Sequence, residues 1–331
     1  AATTEYPITI YYAYKQSNDD SDNDPISTGW ETMLTAIIEA GFIITGTLPM
    51  RTELTTALKA TKNALSTSIV IACRKPVEPK QAIAYNRFLQ SFGRDMRPSL
   101  LDLQSVNLSP VDMMQAAIGV GMREFSKYSG VIHSDGRRMT VRAALKLTNK
   151  VLDVFVNAQD DYLDDETKFC VAIYEQSAFE EVDFGQAQLW STIMNVSINR
   201  IESHGVLVAG KGKVRLKTRV ELVPESADEY NSELPDETPE LYETLWGSLQ
   251  RILIEKKAHS TKAAARLIVK HKLHKESLKT LTYRLYNVAE RNRWTDEAQR
   301  YNTLIESWEM LEGFILDVTR EMSKQQTTLE L

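Results

Sequence analysis

The first 75 residues follow a fixed order of patterns, and this order constrains the fold more than any other feature of the chain. An apolar and aromatic run is followed by a helical pattern and then by two β-rich runs, at 7–14, 27–42, 43–48 and 66–72. Thr28 and Glu31 have the spacing of a capping box at the start of the helix, and Gly41 can end it. Strand, helix, strand and strand predict an α/β layer, and no glycine-rich nucleotide loop accompanies it.

Length and composition exclude several classes of protein. A chain of 331 residues suggests about two domains, and its net charge of -6 excludes a uniformly basic coat for nucleic acid. Cys73 and Cys170 are too far apart in sequence to form a disulfide framework, and we expect both to be buried because each lies in an apolar run. No run of about 20 apolar residues predicts a membrane span, and no signal-peptide pattern opens the chain. We therefore expect a cytoplasmic protein.

The remaining pattern is mostly helical and predicts a fold class of α/β plus α. Between 186 and 217, two short helices, two strands and the turn Gly210-Lys211-Gly212 follow one another in an order that resembles a winged helix. Ser260 and Thr295 are predicted N-caps in the helical segment at the carboxy terminus. The predicted segments are an α/β block at 1–78, a helical region at 79–180, a winged-helix-like module at 181–224, an acidic linker at 225–240 and a helical array at 241–331.

The predicted wing is locally basic. Residues 197–222 carry six lysines or arginines against two glutamates, and Val214 and Leu216 alternate with cations. One face of this hairpin can therefore pack while the other lies along phosphates. The candidate DNA contacts are Asn199, Arg200, Ser203, Lys211, Lys213, Arg215 and Lys217. The alternative is a solvated hairpin on a module that binds protein.

Two other patterns carry weaker signals. The span 251–293 holds twelve lysines or arginines against three glutamates, which face either water or phosphate. His271 and His274 are three residues apart, but no Asp, Glu or Cys joins them at ligand spacing. We predict no metal site, and no nucleophile elbow supports hydrolase chemistry.

Several separated segments, in order, resemble one known family. They are YYAYKQ, TGWET, AGF, TGTLPMRTE, SIVIACRK, AAIGVGMREFSKYSGVI, KFCVAIYEQ and LTYRLYNVAERNRWTDEAQRYNTLIESW. Together they resemble large microbial adenine-specific DNA methyltransferases of restriction-modification and phage defence, in the DISARM-like branch. The resemblance implies methyl transfer from S-adenosylmethionine to adenine, with double-stranded DNA as the partner. It also implies that 1–78 is the closing part of a Rossmann-type methyltransferase sheet.

The signatures of such an enzyme are missing from this chain. There is no Asp-Pro-Pro-Tyr, and the tight pair Gly119 and Gly121 follows a helical run rather than a strand. The resemblance therefore implies a missing amino-terminal methyltransferase half or partner subunit, which would hold S-adenosylmethionine. We expect the chain alone to be inactive and not to bind the cofactor, and we assign no catalytic residue.

Residues at the ends of the predicted strands are candidates for one wall of the substrate cleft, because ligands bind outside the carboxyl ends of strands in open sheets. They are Lys15, Gln16, Arg51, Thr52 and Glu53, and Trp30 in the first turn of the predicted helix is a further candidate for this wall. The alternative is that the charged ones solvate strand ends and that Trp30 belongs to the core. Two further alternatives stay open for the chain as a whole: a protein-interaction scaffold subunit of a defence complex, and a split enzyme.

Overall fold

The computed structural model describes residues 6–13, 28–51, 67–106, 108–157, 162–222 and 243–329. These ranges contain twelve helices and eight short strands, so the predicted class of α/β plus α is confirmed. The chain forms two compact units, Ala1–Phe155 and Val156–Leu331. Their boundary falls inside 79–180, which the sequence pattern groups as one helical region. Of the described helices, none combines the length and apolar character needed to cross a membrane.

The three predicted strands of the first unit lie in one sheet. They are β1 (Ile8–Ala13), β2 (Ile43–Arg51) and β3 (Thr67–Arg74), and helix α1 (Thr28–Glu39) connects the first two. The sheet order is β1-β3-β2, and β3 runs antiparallel to both neighbours, so β1 and β2 are parallel to each other. The last strand in sequence is therefore inserted between the first two.

The helix α1 ends as its sequence predicts. Gly41 adopts φ +86° and donates to the carbonyl of Ile38 at 3.0 Å, while Phe42 donates to Ile37 at 3.2 Å. A residue with a side chain would strain the backbone at this positive φ, so glycine suits the end of the helix. The buried face of α1 carries Leu34 and Ile37, which pack in the core of the unit.

The rest of the first unit begins with β4 (Ala82–Ala84), α2 (Tyr85–Ser105) and α3 (Pro110–Ser126) and ends with β5 (Gly130–Ile132) and α4 (Val141–Asn157). β4 and β5 form a separate parallel pair. Helix α3 packs along β2, where Ser126 Oγ accepts from Ile44 N at 2.9 Å and Thr47 Oγ1 donates to the carbonyl of Gln115 at 3.3 Å. A helix that covers a strand in this way protects its backbone groups from unwanted pairing.

The glycine pair of α3 serves this packing. A Cβ on Gly119 would lie 2.6 Å from the backbone nitrogen of Thr47 in β2. A Cβ on Gly121 would lie 2.0 Å from Oγ1 of Thr148 in α4. Both positions need glycine because two other elements approach the helix backbone directly.

The second unit starts with a small three-stranded sheet and three helices. Its first elements are α5 (Asp165–Ser177), β6 (Val182–Asp183), α6 (Phe184–Ile193), α7 (Ile198–Ser203), β7 (Leu207–Gly210) and β8 (Lys213–Leu216). The antiparallel sheet has the order β6-β8-β7. Helix α5 contacts α6, β6 and β8, so it belongs to the same cluster as the predicted hairpin.

Five helices complete the second unit: α8 (Leu245–Ala258), α9 (Thr261–Lys270), α10 (Lys275–Arg291), α11 (Thr295–Glu306) and α12 (Trp308–Leu329). α10 packs against α11 and α9 against α12. α10 is buried along most of its length, including Lys279 and Arg284. Together with the buried Arg251, these residues remove part of the 251–293 charge from the surface. The predicted linker at 225–240 lies outside the described residues.

Candidate nucleic-acid interface

Helix α7 presents the predicted base-contacting residues on one face. Ile198 and Ile201 are buried, whereas Asn199, Arg200 and Ser203 are exposed. The alternation follows from the helical period, because residues three apart lie on the same face. α7 therefore offers a short polar surface held in place by two isoleucines.

The turn between β7 and β8 projects next in sequence. Lys211 and Gly212 both have positive φ, at 52° and 75°, and Gly210 pairs with Lys213 across the hairpin. Lys211 is exposed at this turn, and Lys217, just after β8, is half-buried. Turns of this kind match the right-handed twist of the flanking strands. The predicted turn is confirmed, and it carries a cation at its tip.

Strand β8 has one buried face, as its alternating sequence predicts. Val214 and Leu216 are buried, and Lys213 and Arg215 lie on the other face. Both cations form ion pairs within the chain. Lys213 Nζ donates to Asp183 Oδ1 at 2.6 Å, and Arg215 donates to both oxygens of Glu221 at 2.8 and 2.6 Å.

These pairs reduce the positive potential of the hairpin. The hydrogen bond to Asp183 raises the pKa of Lys213. Hydrogen bonds from Arg215 and from the backbone of Thr218 lower the pKa of Glu221 to about 2, so this carboxylate stays charged. A shallow depression of about 660 Å³ beside β8 is lined by both signs of charge: Phe179, Glu180, Glu181, Lys213, Arg215, Thr218 and Glu221. A DNA phosphate at this site would therefore be repelled by the carboxylates of Glu180, Glu181 and Glu221.

Arg219 belongs to the core rather than to the basic surface. It pairs with Glu297 of α11, and its guanidinium lies 5.5 Å from the centroid of the Phe179 ring. Burial alone would lower the pKa of Arg219, but the neighbouring Tyr301 and Glu297 raise it well above its ordinary value. Burial raises the pKa of Tyr301 to about 12. This cluster joins the segment after β8 to the helical array and removes one cation from the predicted patch.

Glu166 and His204 complete the surroundings of α7, and no sequence pattern singles them out. Glu166 lies in the first turn of α5, with Oε1 3.1 Å from Arg200 Nε and Oε2 2.8 Å from His204 Nδ1. His204 follows α7 directly and is buried. Only the fold brings α5 against the end of α7, so this carboxylate could not be assigned to the site from local spacing.

The predicted cleft residues are only partly described. Trp30 is 5% exposed and packs edge-on against Tyr12 with ring centroids 5.8 Å apart, so it lies in the core of the first unit. Arg51 is the last residue of β2. The other four, Lys15, Gln16, Thr52 and Glu53, lie outside the described residues. Cys73 and Cys170 are free and buried, as expected.

A comparison with protein families relates the second unit to one of them. The family described as a domain of unknown function, DUF8807, matches residues 164–329, just over half of the chain. The chain belongs to the DUF8807 family. No curated protein and no solved structure matches it.

The limits of the DUF8807 match follow the structure closely. It begins at Asp164, the N-cap of α5, and ends at Leu329, the last residue of α12. The small sheet, the helix α7 and the helical array therefore occur together in one family. The sheet of the first unit lies outside the match.

Proposed function

We propose that the DUF8807 segment binds duplex DNA through α7 and the β7–β8 turn, and that the chain is the target-recognising, carboxy-terminal part of an adenine-specific DNA methyltransferase. The observation that carries the DNA-binding part is the outward face of α7. Asn199, Arg200 and Ser203 are exposed there, while Ile198 and Ile201 anchor the helix from behind. Amide, guanidinium and hydroxyl groups are the side-chain groups that read base edges and contact phosphates.

The order of elements around α7 supports this proposal. Helix, strand, helix, helix, strand and strand, from α5 to β8, with the sheet order β6-β8-β7, resemble a winged helix. In that arrangement the helix before the hairpin enters the major groove and the turn lies along the phosphates. Lys211 at the turn supplies a cation for the second contact.

The first unit supports the methyltransferase part. A strand–helix–strand connection between parallel β1 and β2 is the unit from which Rossmann-type sheets are built. Lys15 and Gln16 follow β1 in sequence, and Thr52 and Glu53 follow β2 after its last residue, Arg51. We propose that this edge forms one wall of the substrate cleft in the assembled enzyme.

S-adenosylmethionine would bind to the missing methyltransferase half. The glycine pair that could approach a cofactor, Gly119 and Gly121, packs against Thr47 and Thr148 and has no room for a ligand. We therefore assign no cofactor-binding residue in this chain. Isothermal titration with S-adenosylmethionine tests this assignment: no binding is expected for the chain alone, and binding is expected once a half carrying Asp-Pro-Pro-Tyr is supplied. Tight binding by the chain alone would contradict it.

DNA binding is tested by fluorescence anisotropy of a labelled duplex at about 50 and 200 mM salt. We expect affinity to fall with salt, because each neutralised phosphate contributes a slope of about -0.9 in log K against log salt. Arg200→Ala and Lys211→Ala should each weaken binding. Lys257→Ala, which removes an exposed cation from the end of α8, is the matched control and should change little. Equal effects of all three variants, or binding that ignores salt, would count against α7 and the turn as the interface.

One observation favours a second candidate function, a module that binds another protein. Helix α6 has no charged residue, and its outward side exposes Leu189 and Ile193, at 59% and 70%. Interface cores are poor in charge and rich in apolar contacts. If duplex DNA does not bind and Leu189→Glu with Ile193→Glu abolishes co-purification of a subunit from the native complex, this second function replaces the first.

A further inference from the structure

The carboxylate of Glu166 is shared between an exposed arginine and a buried histidine. Its Oε1 atom lies 3.1 Å from Nε of Arg200, and its Oε2 atom lies 2.8 Å from Nδ1 of His204. The second pair is close but not aligned for a hydrogen bond. Glu243 approaches His204 from the other side, with Oε2 3.7 Å from Nε2. Glu166, Arg200, His204 and Glu243 therefore form one continuous polar group beside α7.

The backbone around Glu166 and His204 is held in place by hydrogen bonds that do not involve the Arg200 side chain. Asp164 caps α5 by accepting from the backbone nitrogen of Thr167 at 2.7 Å, which fixes the helical turn that contains Glu166. His204 closes α7, and its backbone nitrogen donates to the carbonyl of Arg200 at 3.0 Å. Both ends of the contact therefore belong to well-bonded backbone, which is the condition for orienting a long side chain.

At one end of this group the side chain of Glu243 is 57% exposed, and at the other end Arg200 faces outward. Its side chain is 66% exposed, whereas the side chains of Glu166 and His204 are 15% and 10% exposed. The closest approach to Glu166 is through Nε, along the side of the guanidinium. The end formed by Nη1 and Nη2 is the edge that pairs with two acceptors at once.

Resting on the proposed binding of duplex DNA, we propose that Glu166 is a positioning residue that holds Arg200 for bidentate recognition of a guanine. Arginine donating to O6 and N7 of guanine is the commonest specific contact in the major groove. Holding the guanidinium in advance removes rotamer freedom that would otherwise be lost on binding. Lys211, on a hairpin turn without such support, contacts phosphate and carries no base preference.

Because Glu166 only positions Arg200, its loss should lower sequence specificity without lowering the affinity for unrelated DNA. Loss of the Glu166 carboxylate frees the Arg200 side chain, so discrimination for the preferred site should fall on the order of tenfold. The same change removes a negative charge near the DNA, so binding to an unrelated duplex should stay equal or rise. A residue with a merely structural role would lower both affinities together.

The experiment selects the preferred sequence from a random duplex library and then measures affinity for that site and for a scrambled duplex. Glu166→Gln should reduce the ratio of the two affinities about tenfold, and Arg200→Lys should reduce it similarly because lysine lacks the planar fork. Asp165→Asn is the matched control: it removes one charge from the same helical turn, where Asp165 pairs with Lys168 instead. This control should leave the ratio unchanged.

The outcomes keep the two proposals apart. If the wild-type chain binds neither duplex, the proposed function itself fails. If it binds every duplex equally, or prefers a site without guanine, DNA binding stands and the role of Arg200 is overturned. A preserved ratio in Glu166→Gln overturns the role of Glu166 alone. If that variant unfolds below room temperature, Arg200→Lys decides the guanine contact, because an exposed substitution leaves the fold intact.

Discussion

Arg219 and Glu297 form a two-contact ion pair, with Nη1 2.5 Å from Oε1 and Nη2 2.8 Å from Oε2. The side chains are 13% and 16% exposed. Tyr301 accepts from Nη2 of the same arginine at 3.1 Å, and Tyr174 donates to Glu297 at 3.2 Å. Burial alone would raise the pKa of Glu297, but the hydrogen bonds from Arg219 hold it below its ordinary value. The pair connects the segment after β8 to α11.

Breaking this pair should destabilise the second unit strongly. Arg219→Ala removes both guanidinium contacts from the largely buried Glu297 carboxylate and leaves it the more distant Arg300, whose Nε lies 3.6 Å from Oε1. We expect a loss of about 3 kcal/mol in the free energy of unfolding. The matched control is Arg215→Ala, because Arg215 also makes two contacts to a glutamate, Glu221, but closer to the surface. Its loss should cost no more than about 1 kcal/mol. Urea unfolding of both variants measures the difference. Similar losses of unfolding free energy would mean that the Arg219–Glu297 pair stabilises the unit no more than the surface pair does.

The stability of the second unit should depend on pH because of the Glu221 carboxylate. Its pKa in the folded protein is about 2, below the usual value for an unfolded chain of about 4.3. A lowered pKa adds stability that is complete above the unfolded value and is lost as pH falls through the folded one. The gain lost between about pH 5 and 2 should stay under about 1 kcal/mol, since this pair is near the surface.

Comparison with Glu221→Gln isolates this contribution. The difference in melting temperature between wild type and variant should be largest near neutral pH and should shrink as pH approaches about 2. A difference that stays constant over this range would show that the carboxylate adds no charge-dependent stability.

Local sequence patterns predicted the elements of the candidate site, and distant contacts supplied the rest. The alternation of Val214 and Leu216 with cations gave the correct buried face of β8, and the period of α7 gave its exposed residues. Ser260 caps α9 as expected, accepting from Ala263 N at 3.2 Å. The prediction of Thr295 as a cap was wrong by one residue, because Trp294 occupies the N-cap position without a side-chain hydrogen bond.

What the patterns could not reveal is which charges meet. In the sequence Arg219 is one of six cations in a basic stretch, and only the packing of α11 shows that its side chain is largely buried. The same holds for Glu166, which lies far from Arg200 in sequence, and for Asp183, which neutralises Lys213 across the sheet. Charge counted along a sequence therefore overstates the positive surface of this hairpin. Ion pairs within the chain neutralise several of the cations that a count along the sequence includes.

Alanine in place of the α3 glycines should destabilise the first unit through steric overlap. Gly119→Ala meets the backbone nitrogen of Thr47 at 2.6 Å, and Gly121→Ala meets Thr148 at 2.0 Å. We expect a loss of about 1–3 kcal/mol for each, as in overpacked cores. Gly93→Ala in α2 is the control: apart from its chain neighbours and its own helix backbone, no atom of the described residues lies within 4 Å of the added Cβ. Helix propensity should therefore raise stability by up to about 1 kcal/mol.

A second substitution distinguishes the two glycines. Thr148→Ala removes the side-chain atoms nearest to Gly121, so it should partly restore the stability of Gly121→Ala. No side-chain change at Thr47 can rescue Gly119→Ala fully, because the backbone itself is in the way. Chemical denaturation of the single and double variants tests both statements. Equal stability of Gly119→Ala and Gly93→Ala would rule out the close approach of α3 to β2.

Substitution of Asp164 should destabilise the first turns of two helices, α5 and α8. Its Oδ1 atom accepts from Thr167 N at 2.7 Å, and its Oδ2 atom accepts from Thr167 Oγ1 at 2.6 Å and from Leu245 N at 3.1 Å. Thr167 Oγ1 in turn accepts from Trp246 N at 3.0 Å, so the first turns of α5 and α8 share these acceptors. Loss of an N-cap alone costs about 1 kcal/mol, and the hydroxyl of the buried Thr167, left without its acceptor, costs about a further 1–3 kcal/mol.

Asp164→Ala should therefore lower the free energy of unfolding by about 2–4 kcal/mol, more than an ordinary cap mutation. Asp164→Asn should lie between this variant and the wild type, because an amide keeps one acceptor oxygen and presents a donor to Leu245 N. Asp165→Ala, beside it on the same turn and in an ion pair with Lys168, should change stability by less than about 1 kcal/mol. Hydrogen exchange at Leu245 and Trp246 should accelerate in Asp164→Ala and not in Asp165→Ala, and unchanged exchange at α8 would mean that the two helix ends are held separately.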